Sequence, residues 1–130
     1  MLNKVEYWLD SCDDDIKVAK SMLEKKHYLW AGFLCHLVAE KALKAVIENN
    51  TNETPPKIHD LKKLATKGKI YDNLSEEQKT FLDRLMPYQI EARYPEYKDR
   101  IAKTLNDVHC KQLLIETEEF LCFVKTKLGK

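Results

Sequence analysis

The chain has 130 residues, which suffices for one domain with a packed core, and we expect residues 1–130 to form a single domain. Lys and Arg total 22 against 21 Asp and Glu, so the formal charge is only +1, which argues against a dedicated duplex-DNA binder. A hydrophobic content of 44% excludes wholesale disorder, and three Gly with four Pro exclude collagen-like and turn-dense all-β chains.

The sequence lacks the signals of export, of membrane insertion and of a disulfide framework. The longest apolar stretch, residues 29–39, is far shorter than the ~20 residues that a membrane span needs. The four cysteines form no CxxC pair, so we expect buried free thiols and a cytoplasmic location without membrane association. These cysteines are Cys12, Cys35, Cys110 and Cys122.

Two long helices are predicted in the first half of the chain. Apolar residues recur at steps of three and four from Val5 to Leu23, which indicates an amphipathic helix that ends near Lys25. Residues 28–49 are apolar almost all round, which is typical of the buried central helix of a bundle. One polar stripe interrupts this second helix, with Lys41 beside it. Its members, four residues apart, are His36, Glu40 and Lys44.

Shorter elements and one further long helix are predicted in the second half. Asn and a Pro pair end the second helix over residues 49–57, and short helical turns follow over 60–66. Ser75 and Gln78 predict a capping box for a helix over 76–85, and Pro87 stops its continuation. Residues 88–99 read as an aromatic-rich loop. The last helix should span 105–128, with Thr104 and Asp107 as its capping box. The fold class is therefore all-α, a bundle of four to five up-and-down helices.

No metal or cofactor site is expected from the sequence. Isolated glycines cannot build a phosphate-cradling loop, and no HExxH or EF-hand spacing is present. The pairs Cys35–His36 and His109–Cys110 do not suit zinc, because helix neighbours point about 100° apart. We interpret each pair as a buried thiol beside a partly exposed imidazole. A phosphorelay role for His36 is disfavoured, since Glu40 one turn away would repel a phosphate.

Two segments are locally basic. Residues 55–70 hold five lysines against one acid, Asp60, and we interpret Lys62 and Lys63 as a solvated surface. Residues 92–103 hold Arg93 among tyrosines. This arginine either binds a phosphate or carboxylate while aromatic rings stack a base, or holds the loop by packing against tyrosine faces or by pairing with Glu40 or Glu91.

Several segments, in order along nearly the whole chain, resemble prokaryotic HEPN domains. They are YWL at 7–9, WAGF at 30–33, EKALKA at 40–45, TPPKIHDL at 54–61 and EARYP at 91–95. The resemblance implies a helical bundle that usually dimerises, is often encoded beside a minimal nucleotidyltransferase, and has been proposed to bind nucleotides.

Several HEPN branches are ribonucleases, often toxins of toxin–antitoxin type, and they use an Arg followed after four to six residues by a His. No His stands at that spacing after Arg84, Arg93 or Arg100. The chain therefore resembles the nucleotidyltransferase-associated type that lacks the ribonuclease motif.

The expected function is a non-catalytic module that homodimerises and works with a minimal nucleotidyltransferase. A cleft would contact a nucleotide, an RNA end or a partner loop. Its expected lining residues are Glu40, Lys41, Lys44, Arg93, Tyr94 and Tyr97. One alternative is a divergent, metal-independent endoribonuclease of toxin type that uses Arg93 and His59, since histidine is the usual proton-transfer group near neutral pH. The other alternative is a pure dimeric scaffold.

Overall fold

A computed structural model describes residues 3–89, 99 and 105–130 of the chain. Over these residues the chain forms helices and no strand, which confirms the predicted all-α bundle. The α-helices are α1 (Lys4–Glu24), α2 (Tyr28–Thr51), α3 (Leu61–Lys67), α4 (Glu76–Leu85) and α5 (Asp107–Lys127). Two short 3₁₀ turns, Tyr71–Asn73 and Met86–Tyr88, flank α4.

Helix α2 is the centre of the molecule, as its nearly continuous apolar surface predicted. It packs against α1, α3, α4 and α5, and most of its residues from Ala31 to Ile47 are buried. Because α2 is surrounded, its few polar side chains must find partners inside the protein. Within the described ranges, no helix combines the length and hydropathy that crossing a bilayer requires.

The ends of the helices follow local hydrogen-bonding rules. The predicted capping box of α4 is confirmed: the Gln78 amide donates to Ser75 Oγ at 3.1 Å, and the Ser75 amide donates to Gln78 Oε1 at 2.9 Å. The predicted capping box of α5 is wrong. Asn106 is the N-cap, since its side-chain oxygen accepts the His109 amide at 2.9 Å, and asparagine is among the strongest N-capping residues. Thr104 lies outside the described residues.

The chain reverses after α2 and then follows it. Asn52 ends α2 in the left-handed region at φ 58°, which turns the chain back. Gly68 at the end of α3 lies against α2, where an added Cβ would stand 3.0 Å from Val46 Cγ1. The Asn50 side chain donates to the Gly68 carbonyl at 2.8 Å. These contacts hold the C-terminal end of α3 beside α2.

The cysteines are free, as expected, although not all are buried. Three of them are buried, and burial raises the pKa of Cys12 and Cys35 to about 12 and that of Cys110 to about 11. Cys122 is exposed on α5, so the expectation of burial is wrong for this residue. The described residues contain no group of three or more His, Cys, Asp or Glu side chains suited to holding a metal ion.

Candidate functional site

The carboxylate of Glu40 lies in the middle of α2 and is only 5% exposed. Its Oε2 accepts a hydrogen bond from Lys44 Nζ at 3.0 Å, one turn along the helix. Its Oε1 lies 2.9 Å from Nδ1 of His59, which comes from the segment returning after α2. One buried carboxylate therefore joins two side chains that are separated by fifteen positions in the sequence.

The contact with Glu40 determines which ring nitrogen of His59 carries the hydrogen. An ionised carboxylate only accepts hydrogen bonds, so Nδ1 of His59 donates to Glu40, and in the neutral ring Nε2 then carries the lone pair. The His59 side chain is 47% exposed although its Nδ1 edge contacts a buried group. The Glu40 contact therefore uses Nδ1 and leaves Nε2 as the other hydrogen-bonding atom of a half-exposed ring.

His36 lies beside this carboxylate, one turn before it on α2. It is only 2% exposed, and its Nδ1 stands 3.8 Å from Glu40 Oε1. Burial lowers its pKa from 6.5 to about 4, against an opposing effect of Glu40, so the ring is neutral at pH 7. Its Nε2 is buried without a hydrogen-bond partner among the described residues.

The expectation of a partly exposed imidazole at position 36 is therefore wrong. The segment around His59 covers this face of α2, and helical periodicity carries no information about such a long-range contact. At His109 the expectation is confirmed, because that ring is exposed beside the buried Cys110.

Helix α1 supplies the remaining side of the cluster. Lys44 Nζ lies 5.8 Å from the centroid of the Trp8 ring, within the range of a cation–π contact. The Lys44 ammonium is thus held between a carboxylate and an aromatic face. We call His36, Glu40, Lys44 and His59, together with Trp8, the Glu40 cluster.

Lys41, which the sequence placed with this group, lies elsewhere. Its Nζ contacts Ser11 Oγ and Asp15 Oδ2, both at 2.7 Å, and so ties α2 to α1. Adjacent residues on a helix point about 100° apart, which takes Lys41 away from Glu40. Arg93, Tyr94 and Tyr97, together with Glu91, lie outside the described residues.

The sequence predicted a role for His59 only in the alternative ribonuclease, as a catalytic residue. The cap of α3 is Asp60, whose Oδ1 accepts the Lys63 amide at 3.0 Å, whereas His59 turns to Glu40. The signal in the sequence was indirect: a Pro pair breaks the chain after α2, and a histidine follows just before the next cap.

Comparison with known proteins agrees with this architecture. A family model described as the HEPN domain matches residues 5–127. The fold is similar to the crystal structure of TT1696 from Thermus thermophilus, with a TM-score of 0.80. The similarity covers 97% of this chain and 99% of that one at 22% identity, so it concerns the fold alone. No curated protein sequence matches the chain.

The buried His36 makes stability depend on pH. The unfolded chain takes up a proton near pH 6.5, whereas the folded ring resists it until about pH 4, so the unfolded state binds more protons in that window. The contribution of His36 to the free energy of unfolding is complete above pH 6.5 and is lost as the pH falls towards 4. We expect the free energy of unfolding, measured in urea, to fall by about 2 kcal/mol between pH 7 and pH 5.

The variant His36→Gln should lose less unfolding free energy than the wild type over this pH range, and the control His109→Gln should lose as much as the wild type. Equal losses of unfolding free energy in the wild type and in His36→Gln would refute the attribution of this pH dependence to His36.

Proposed function

The chain belongs to the HEPN domain family, and on this premise we propose that it is a non-catalytic binding module for a nucleotide or an RNA end. In this proposal it forms a homodimer and acts with a minimal nucleotidyltransferase. The observation that carries the ligand part is the His59 ring, whose Nδ1 contacts the buried Glu40 carboxylate while 47% of the side chain is exposed.

Such a ring is a pre-organised recognition element. Because Glu40 fixes Nδ1, little side-chain entropy is lost when Nε2 engages a ligand. Nε2 accepts a hydrogen bond from a ribose hydroxyl or a base amino group, and in the protonated ring it donates to a phosphate. Arg93 is the second anchor in this proposal, as a guanidinium that pairs with the phosphate in two parallel hydrogen bonds.

An apolar groove between α1 and α2 supports the part of the proposal that concerns contact with another protein chain. Trp30 is 56% exposed there, and Val18 is also exposed. The remaining lining residues are Met22, His27, Phe33 and Leu34. Exposed aromatic and aliphatic side chains grouped in this way are typical of protein contact surfaces.

Titration of mononucleotides by calorimetry tests the ligand part. We expect His59→Ala and Arg93→Ala each to weaken binding by about 10- to 100-fold, the value of one charge-assisted hydrogen bond. His109→Ala, which removes an exposed histidine from α5, is the matched control and should bind as the wild type does. Negligible binding by all four proteins would remove the ligand from the proposal and leave a protein-binding scaffold.

The contact between Glu40 and His59 also favours a second candidate, the metal-independent endoribonuclease. A carboxylate that orients an imidazole is a common general-base arrangement. His59 Nε2 would take the proton of an RNA 2′-hydroxyl while the 2′-oxygen bonds to phosphorus. The bond from phosphorus to the 5′-oxygen would then break, and this oxygen would take a proton from water. Arg93 would stabilise the charge on the phosphoryl oxygens.

Incubation of the purified protein with a labelled RNA separates the two candidates. The binding-module proposal predicts no cleavage above the level of a His59→Ala sample. The ribonuclease alternative predicts that the wild type and His109→Ala cleave the RNA. Cleavage should then be abolished in His59→Ala and reduced about 100-fold or more in Glu40→Gln, and this result would establish the protein as an endoribonuclease.

A further inference from the structure

The apolar groove between α1 and α2 lies beside the C-terminal half of α1. Val18 and Met22 line it from α1, and Trp30, Phe33 and Leu34 line it from α2. Val18 is 44% exposed and Trp30 is 56% exposed. The Trp30 and Phe33 rings pack edge to face, with their centroids 6.1 Å apart. Large apolar side chains grouped at a surface in this way gain from being covered by a second chain.

Helix α1 carries its charges in two blocks. Between positions 10 and 26, the acids at 10, 13, 14 and 15 come first, and the lysines at 17, 20, 25 and 26 follow with Glu24 as the one later acid. The macrodipole of the helix does not account for this order, because its effect is confined to the first and last turns. The first turn of α1 holds Glu6 as its acid, and the last turn holds no basic residue.

Contacts within the protein account for some of these charges. Asp13 and Lys20 form ion pairs with side chains of α5. Asp15 pairs with Lys41 of α2 at 2.7 Å. These three charges therefore serve the packing of α1 against its own neighbours.

Asp14 and Lys25 are placed differently, at the two ends of the groove. Both are exposed. Asp14 stands four residues before Val18, and Lys25, the C-cap of α1, stands three residues after Met22. Residues three or four apart lie on the same side of a helix, so the α1 wall of the groove has an acid at one end and a base at the other.

An apolar surface with opposite charges at its two ends is complementary to itself. In a two-fold dimer the same surface serves both copies, so that residue i contacts residue j and j contacts i. With the two α1 helices antiparallel and the axis between Val18 and Met22, Asp14 of each copy lies opposite the partner's Lys25. A parallel pairing would place Asp14 beside the partner's Asp14, and like charges oppose association.

We infer that the groove binds a second copy of this chain with the α1 helices antiparallel and Asp14 of each copy paired with the partner's Lys25. The inference rests on the proposed function for the existence of a homodimer, and it assigns the surface and the orientation. Because α2 runs back along α1, Trp30 lies at the level of Met22, and the two-fold axis brings it to the partner's Val18. Trp30 then fills the partner's groove, as tryptophan often does at the centre of an interface.

Charge reversal with compensation tests the pairing, with the dissociation constant of the dimer measured by sedimentation equilibrium. Asp14→Lys and Lys25→Glu should each raise this constant about 10-fold or more, because each change creates two like-charge contacts in every dimer. An equimolar mixture of the two variants should associate about as tightly as the wild type, since each contact again joins opposite charges. The double variant Asp14→Lys with Lys25→Glu should also dimerise as the wild type does. Lys63→Glu on α3 and Asp83→Lys on α4 make the same changes of charge elsewhere and are the controls.

The apolar part of the interface has its own variant. Trp30→Ala should raise the dissociation constant about 30-fold or more, as expected for a central tryptophan anchor. Its circular dichroism should match that of the wild type, because the side chain is more than half exposed.

The possible failures are distinct. A dimeric wild type whose dissociation constant does not respond to Asp14→Lys, Lys25→Glu or Trp30→Ala would overturn this inference and leave the homodimer of the proposed function at another surface. A mixture of the two charge variants that stays as weakly associated as either alone would overturn the antiparallel pairing. A wild type that stays monomeric at its highest soluble concentration would overturn the inference and also remove the homodimer from the proposed function.

Discussion

The carboxylate of Glu40 connects the buried central helix α2 with the half-exposed His59 of the proposed site. A charge at this depth is unfavourable unless its oxygens are fully satisfied, and each oxygen of Glu40 has its own donor, Lys44 or His59. Removal of one donor would leave a buried charge partly uncompensated, which is more costly than the loss of a surface ion pair. The contact with His59 also attaches the segment between α2 and α3 to the central helix, so one interaction serves both stability and the geometry of the site.

This arrangement explains how a nearly neutral chain presents distinct chemical surfaces. The core of α2 fixes Glu40, Glu40 fixes the inner edge of His59, and α3 begins immediately afterwards with its lysines facing outward. The His59 ring and the exposed lysines of α3 are thereby close together along the chain. In the proposed function, the His59 ring and Arg93 recognise a nucleotide. Lys41 contributes differently, since its bonds to Ser11 and Asp15 hold α1 against α2.

Local signals in the sequence predicted most of the fold. The apolar spacing gave the extents of α1 and α2 to within a few residues, and Ser75 with Gln78 predicted the start of α4, because such features depend on neighbours in the chain. The resemblance to HEPN domains agrees with the family match over residues 5–127. The polar stripe of His36, Glu40 and Lys44 could be recognised in the sequence. Its contact with His59 could not. The burial of His36 and the contact at His59 depend on where the chain returns after Asn52, which periodicity does not encode.

Nitrogen-15 NMR of the histidine rings shows whether Glu40 accepts the Nδ1 hydrogen of His59 and leaves Nε2 without a hydrogen. At a pH where the imidazoles are neutral, the two ring nitrogens of His59 should show the tautomer protonated at Nδ1, and Glu40→Gln should change this pattern while the exposed His109 stays as it is. A neutral His59 protonated at Nε2, with shifts that do not respond to Glu40→Gln, would contradict the account, because the ring would then not be anchored to the central helix.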